Sequence, residues 1–141
     1  MIYGIYINED EIPFATLIAE GKKEVETRTR DMLGKLVGER VALISTGKNK
    51  WPMIVGLATI TAKQFVPDHL LDTQEGRKIT CIPKGSKYDK YSYSKKAQCY
   101  GKWCYVMRWP EAFKPIPLPE DIIRHGRSYC ELPGYHKIKE D

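Results

Sequence analysis

Short apolar runs alternate with polar turns along the first part of the chain. Residues 1–7 are rich in Ile and Tyr and alternate weakly between apolar and polar positions, which predicts a first β-strand. Pro13 stands where a helix could begin, and the apolar residues that follow it lie on one helical face. We therefore expect a short amphipathic helix over residues 13–20.

The other regular segments are predicted from runs of β-branched and aromatic residues. Strands are expected at residues 24–30, 40–46, 53–61, 103–109 and 127–132. Residues 62–99 form a long polar segment with one helical turn expected near 68–72, and a segment of this length without regular structure is often functional. Residues 135–141 are expected to form a frayed tail.

These elements predict an α+β fold that is mainly β: a small, mostly antiparallel β-barrel with one or two short helices packed on it. The chain has 141 residues, the usual size of one domain, and it is long enough to bury a core without disulfide bonds. No repeat or linker divides it. We expect a single domain over residues 1–141, with a long basic and aromatic loop at about 62–99.

The composition is that of a globular protein, because 42% of the residues are hydrophobic and 29% are charged. No apolar run approaches the roughly 20 residues that a membrane-spanning helix needs. The first residues lack the basic segment and the cleavage site of a signal peptide. We therefore expect a cytoplasmic protein with no membrane partner.

The net charge of +5 favours an anionic partner, of which nucleic acid is the commonest. The stretch from Gly76 to Lys102 holds eight Lys or Arg residues and one acid, Asp89. Aromatic residues are interleaved with this positive charge, and Tyr91 and Tyr93 are candidates for stacking on bases. The alternative is a solvated loop whose tyrosines hold it against the barrel. On the strand at 103–109, most of the four large side chains of one face are expected in the core.

Cysteine and histidine spacing gives no sign of a metal site. The residues concerned are Cys81, Cys99, Cys104, Cys130, His69, His125 and His136. They form none of the tight ligand pairs that structural zinc sites show, so we expect reduced thiols, no metal and no cofactor. The common serine-nucleophile and zinc-protease motifs and the glycine-rich phosphate loop are also missing from the sequence.

The most informative segment is residues 21–28, Gly-Lys-Lys-Glu-Val-Glu-Thr-Arg, which has the pattern G-x-K-x-x-x-x-R. This pattern is similar to the signature of the ASCH family (activating-signal-cointegrator homology domains). The order of the surrounding features also resembles that family: Pro13-Phe14, the strand at 40–45, Val55-Gly56, the strand from Trp103 and the proline-rich stretch from Pro115. The resemblance covers most of the chain and is weakest over residues 62–99.

The resemblance implies a PUA-like barrel with a cleft between the first helix and the sheet, and a role linked to RNA. A few members are hydrolases, and one branch hydrolyses an acetylated cytidine with a lysine and a threonine of the signature. The lysine corresponds to Lys23, whereas Glu26 stands at the threonine position. That departure removes the nucleophile which the acetylcytidine reaction would use.

Strand alternation places the charged residues at positions 24, 26, 28 and 30 on one face of the predicted strand. They form either a solvated outer face or the lining of a cleft, and the family resemblance favours the cleft. There Arg28 could bind a phosphate or a base edge, and Glu26 could accept from an exocyclic amino group. Lys23 would add a mobile positive charge, and Arg30 would extend the row.

The loop after the strand at 40–46 offers a second group of candidates. Ser45, Thr46 and Lys48 could hold a phosphate, and the indole of Trp51 could stack on a base. The alternative is an ordinary turn with Trp51 packed over the end of the barrel. Both interpretations remain open from the sequence.

Three functions are compatible with these features. The leading hypothesis is a protein that binds RNA or a nucleotide-like ligand in a cleft lined by residues 21–28. The first alternative is a hydrolase or ribonuclease acting on RNA or a modified nucleoside, with Lys23 and Glu26 as acid and base. The second alternative is an adaptor with a protein partner.

Overall fold

The structure is a computed structural model that describes residues 2–135. The strands are β1 (Ile2–Asn8), β2 (Val25–Arg28), β3 (Arg40–Thr46), β4 (Met53–Pro67), β5 (Ser92–Ser94), β6 (Cys99–Pro117), β7 (Ile123–His125) and β8 (Tyr129–Leu132). The helices are α1 (Phe14–Ala19), α2 (Asp68–Leu71) and α3 (Gln74–Thr80), with a 3₁₀ turn at Gly34–Leu36. Of the tail expected at residues 135–141, all but Tyr135 lies outside the described residues.

The strands form one sheet in the order β2-β6-β4-β3-β1-β8-β7, and β5 pairs with β6 as a side branch. All pairs are antiparallel except β1 with β3. The prediction of a mainly β fold with short helices is therefore confirmed. No pairing joins β2 to β7 within residues 2–135, so closure of the sheet into a barrel stays a prediction.

The central strands are buried on both faces, which explains their nearly continuous apolar runs. On β3, Val41 and Leu43 belong to one core with α1, whereas Ala42 and Ile44 face a second core under β8. The same division separates Ile5 from Tyr6 on β1. Alternate residues thus serve opposite layers, as the strand repeat of two requires.

Helix α1 packs against the sheet through Phe14, Ala15, Ile18 and Ala19. Gly56 of β4 permits this close approach. A methyl group at Gly56 would overlap the carbonyl oxygen of Glu111 and lie 2.6 Å from the Cβ of Ala19. The position of α1, and of the loop that follows it, therefore depends on this glycine.

The expected helical turn near residues 68–72 is confirmed by α2, but the expectation of irregular structure over the rest of residues 62–99 is wrong. The segment contains the second half of β4, both α2 and α3, and β5. Thr73 caps α3, because its Oγ1 accepts a hydrogen bond from the Gly76 amide at 2.9 Å. The end of β4 is held by pairing with β6, from Ala62↔Val106 to Pro67↔Gly101, rather than by burial. A polar strand paired in this way carries no apolar alternation that a sequence pattern could show.

Strand β6 is also longer than residues 103–109, and its register against β4 shifts at three irregularities. Tyr105 and Met107 are buried, as expected for core residues. Trp109, in contrast, is 68% exposed and has a φ of +52°, a left-handed conformation that is uncommon for this residue type. The irregular backbone turns its side chain out of the core face.

No helix within residues 2–135 is both long enough and apolar enough to cross a membrane.

Replacing Gly56 by alanine should lower the free energy of unfolding by about 1–3 kcal/mol, because the new methyl group overlaps fixed backbone and the neighbouring helix. Gly134→Ala is the matched control. Its added carbon would meet only Asp121, at 3.7 Å, and should change stability by less than about 0.5 kcal/mol. Chemical denaturation of both variants measures the difference, and equal effects would contradict the packing argument.

Candidate functional site

A cavity of about 380 Å³ opens where β2 faces the end of β1. Its lining includes Phe14 at the start of α1, Thr46 at the end of β3, and Ile82 and Tyr88 from the loop after α3. Its basic side chains are Lys23, Arg28, Lys87, Lys90, Lys102 and Arg127, and its acid is Glu26. The cavity is therefore strongly positive, with an apolar wall on one side.

Arg28 bridges two strands that do not pair with each other. The ladder between β1 and β8 ends at Ile5↔Tyr129, so Tyr6 is the first residue of β1 past that ladder. The Tyr6 amide still donates to the carbonyl of Ser128, at 3.0 Å. The Tyr6 carbonyl accepts instead from Arg28 Nη2 at 2.7 Å. Arg28 Nε also donates to Glu26 Oε2 at 3.0 Å. Within the described residues, Arg28 Nη1 and Glu26 Oε1 make no hydrogen bond.

Lys23 is positioned by the turn that ends α1. Gly21 adopts a φ of +77°, and the amides of Lys22 and Lys23 both donate to the carbonyl of Leu17, at 2.9 and 3.1 Å. The Lys23 side chain is 2% exposed and its ammonium donates to the carbonyl of Thr80. A glycine-dependent turn thus directs a charged side chain into the interior.

The Lys23 ammonium lies over an aromatic ring. Its Nζ lies 4.6 Å from the centre of the Phe14 ring, a favourable cation–π distance. Burial lowers the pKa of Lys23 below its ordinary value, and the charge of Glu26 opposes that shift only in part. The side chain is therefore easier to deprotonate than a surface lysine.

Lys102 reaches the same cavity from β6. It is 5% exposed, and its Nζ donates to the carbonyl of Tyr88 at 2.5 Å. Burial lowers the pKa of Lys102, and the charge of Lys23 lowers it further. The charges of Asp89 and Glu26 raise it, and the resulting pKa is about 8. Within residues 2–135, neither Lys23 nor Lys102 forms an ion pair with a carboxylate.

The chain matches no protein-family model and no curated protein. Among solved structures it is similar to the ASCH protein of Zymomonas mobilis, at a TM-score of 0.66 and 20% identity over 97% of this chain and 92% of that one. A serine-to-alanine variant of that protein matches at a TM-score of 0.66 and 20% identity, over 97% of this chain and 93% of that one. A tyrosine-to-phenylalanine variant matches at a TM-score of 0.65 and 20% identity, over 97% of this chain and 95% of that one. The chain has the ASCH-domain fold. The family resemblance in residues 21–28 is thus confirmed at the level of the fold.

The ASCH fold brings part of the predicted set together. Lys23, Glu26, Arg28 and Thr46 all line the cavity. Outside its lining are Arg30, Ser45, Lys48, Trp51, Tyr91 and Tyr93. Strand β2 ends at Arg28, so Arg30 is exposed beyond the paired segment and does not continue the row.

The loop after β3 uses its polar groups internally. Ser45 donates to Glu9 Oε1 at 2.5 Å and accepts from Lys50 Nζ at 2.6 Å. The Lys48 amide donates to a carboxylate of the loop after β1, at 2.7 Å. Trp51 is 59% exposed, with its Nε1 donating to the carbonyl of Leu118 at 3.3 Å. This loop therefore has the character of a hydrogen-bonded turn.

Tyr91 and Tyr93 occupy different surroundings. The Tyr91 hydroxyl donates to Asp89 at 3.0 Å, and its ring lies 5.7 Å from Lys102 Nζ behind the cavity wall. Tyr93 is exposed on β5, where its ring meets that of Tyr100 edge to face at 5.2 Å. Only Tyr91 is thus connected to the site, through Lys102.

Sequence reasoning treats Lys102 as one lysine of a surface array and does not place it in the site. A usable signal is present, because Lys102 interrupts an otherwise aromatic and thiol-containing strand. Its neighbours from Cys99 to Val106 are largely apolar. A lone lysine in such a run is either a strand-end residue or a buried one, and the structure shows that Lys102 is buried.

The thiols and acids of this ASCH fold offer no cluster for a metal. Among residues 2–135, no three His, Cys, Asp or Glu side chains converge in a way that could hold an ion. Burial raises the pKa of the Cys104 thiol to about 11, so this group is protonated at neutral pH.

The ammonium of Lys102 should make stability depend on pH. Its pKa is about 8 in the fold and 10.5 ordinarily, so between these values the unfolded chain binds more protons and stability rises with pH. Lys102→Met should be more stable than the wild type at pH 7, and this advantage should shrink by about 3 kcal/mol on reaching pH 10.5. Chemical denaturation at four pH values measures the free energy of unfolding of both proteins. A difference between them that does not change with pH would exclude a lowered pKa of Lys102 in the fold. Lys114→Met, an exposed lysine of the same strand, should follow the wild type.

Proposed function

We propose that the protein binds RNA or a nucleotide-like ligand, with one nucleotide unit held in the cavity between β1 and β2. The observation that carries this proposal is the combination of six basic side chains and one acid around a cavity of about 380 Å³. Pockets for small molecules span roughly 300–1,000 Å³, so this one suits a single nucleotide rather than a folded oligomer. A longer RNA would continue along the exposed lysines at the rim.

The apolar wall provides a surface for a base. The half-buried ring of Tyr88 offers this surface, and the buried ring of Phe14 supports it edge to face at 4.8 Å. The Tyr88 hydroxyl donates to Asn8 Oδ1 at 3.0 Å. Stacking on such a surface is worth roughly 1–3 kcal/mol per base and does not demand a particular sequence. The wall therefore supports binding without strict base preference.

The Arg28–Glu26 pair supplies the polar edge of the same site. Arg28 Nη1 offers donors and Glu26 Oε1 offers an acceptor, side by side, which complements the donor and acceptor pattern of a base edge. The same guanidinium spans the gap from β2 to β1, and we propose that it closes the PUA-like barrel here in place of a strand ladder. Such a protein would act in the cytoplasm, where its four cysteines remain reduced.

Arg28→Ala should remove most of the binding to a mixed pool of short RNAs, because it deletes the donor edge and frees Glu26 as an unpaired acid in the cavity. Arg30→Ala removes the same charge two residues away, outside the cavity, and should weaken binding only slightly. Fluorescence anisotropy at several salt concentrations measures both, and wild-type affinity should fall steeply with salt.

Binding that does not change with salt, or equal losses in the two arginine variants, would contradict this site. A protein partner that the chain still captures after ribonuclease treatment, without any RNA affinity, would favour an adaptor instead.

A second function, hydrolysis of RNA or of a modified nucleoside, is favoured by one observation. Glu26 is buried beside two amines whose pKa values are lowered, Lys23 and Lys102. A carboxylate and an amine that releases its proton more readily than a surface lysine can share the acid and base roles of a hydrolytic step.

A screen of nucleosides and RNA substrates tests the hydrolytic function. Glu26→Gln should reduce any turnover by about 100-fold or more, the usual size of an acid–base contribution. Glu24→Gln changes an exposed carboxylate two residues away and should have no effect on turnover. Turnover that survives Glu26→Gln would exclude this scheme.

A further inference from the structure

Among residues 2–135, the ammonium groups of two lysines are buried in this cavity without a carboxylate partner. Each has three donors, yet Lys23 makes one hydrogen bond, to the Thr80 carbonyl, and Lys102 makes one, to the Tyr88 carbonyl. An unpaired buried charge is costly to a fold, and such charges are normally paired or neutralised. Both side chains line the same cavity, so their remaining donors are available to an anion there.

We propose that Lys23 and Lys102 together hold a terminal phosphate of the ligand, so that the protein selects phosphomonoesters over nucleosides and over internal phosphodiesters. This inference rests on the proposed function, since the base and sugar would occupy the rest of the cavity.

The charge balance of the buried groups leads to a monoester. Glu26 is already neutralised by Arg28, which donates to it through Nε and lies within 3.0 Å of it through Nη2. The two lysines are then left with two positive charges in a poorly solvated site. A phosphomonoester carries roughly −1.5 to −2 at pH 7, whereas an internal phosphodiester carries one negative charge. Only the monoester compensates both ammonium groups.

The two lysines reach the anion from separate elements. Lys23 comes from the turn after α1 and Lys102 comes from β6. The Thr80 carbonyl holds the Lys23 ammonium, and the Tyr88 carbonyl holds the Lys102 ammonium. An ammonium acts as a compact point charge, which suits phosphate binding without a fixed fork geometry. The arrangement is therefore preorganised, because neither side chain has to be recruited from solvent.

The site also predicts a pH dependence. The charged or titratable groups that act on Lys102 are Lys23 from the turn after α1, Glu26 from β2, Asp89 from the loop before β5, and Cys104 from β6 itself. The free protein holds Lys102 protonated below a pKa of about 8. A bound dianion favours the protonated form, so affinity for a monophosphate should be nearly constant between about pH 7 and pH 8 and fall above it.

Calorimetric titration of the full chain tests the proposal with defined probes: adenosine and cytidine, their 5′- and 3′-monophosphates, inorganic phosphate, and a short RNA with and without a terminal phosphate. The monophosphates should bind about 10- to 100-fold more tightly than the nucleosides, the range expected for charge-assisted hydrogen bonds. Lys102→Met should bring the monophosphates to the affinity of the nucleosides, whereas Lys114→Met should leave the preference for monophosphates unchanged. The RNA should bind more tightly when it carries the terminal phosphate.

Distinct outcomes separate the phosphate site from the proposed function on which it rests. If no nucleoside, nucleotide or RNA binds, the proposed function itself fails. If RNA binds but nucleosides match the monophosphates, or Lys102→Met weakens both equally, the phosphate site is excluded while the proposed function stands. Inorganic phosphate that binds as tightly as the best monophosphate would also overturn the proposal.

The wild type provides a test that does not depend on the folding of a variant. Between pH 7 and 9.5 its affinity for the two monophosphates should decline through about pH 8, and its affinity for the two nucleosides should stay constant. Neither base titrates in this range, and the phosphate is already a dianion. A monophosphate affinity that is flat over this range would overturn the role of Lys102.

Discussion

The geometry of the cavity depends on one guanidinium group. Arg28 donates to the Tyr6 carbonyl of β1 and to Glu26 of its own strand, and so connects two strands that share no backbone ladder. Because β8 ends its pairing with β1 before Tyr6, the space beside Tyr6 is not filled by a strand and opens into the cavity of about 380 Å³. A continuous ladder would have closed this space, and without the bridge β6 would be the only strand that holds β2 by hydrogen bonds within the described residues.

Burial of two lysines lowers the stability of the fold but holds their charged groups in fixed positions. Lys23 and Lys102 each lose hydration and regain one carbonyl contact, and Lys23 adds the face of Phe14. A surrounding core of apolar strands can support such a cost because stability is shared over the whole sheet. Strained charge of this kind is concentrated at functional sites, where a ligand of opposite charge relieves it.

Several elements were accessible from local pattern. Strand β3 was predicted with the observed bounds, and β1, α1 and β2 within one or two residues, because apolar periodicity and Pro or Gly punctuation mark them directly. The second half of β4, with α3 and β5, was missed. Those residues are polar and half-exposed, and their structure comes from pairing with β6 and from the Thr73 cap rather than from a buried face.

The sequence by itself determined the spacing of Lys23, Glu26 and Arg28, since a turn after Gly21 and strand alternation are local properties of consecutive residues. Only the tertiary structure decided that Lys102 joins them and that Arg30 does not. Lys23 and Lys102, which are 79 positions apart in the sequence, line the same cavity because β2 pairs with β6, as in Arg28↔Trp103. Such pairing is set by the packing of the whole sheet. A local pattern contains the identity of each charge, but whether that charge is solvated or buried is a property of the assembled fold.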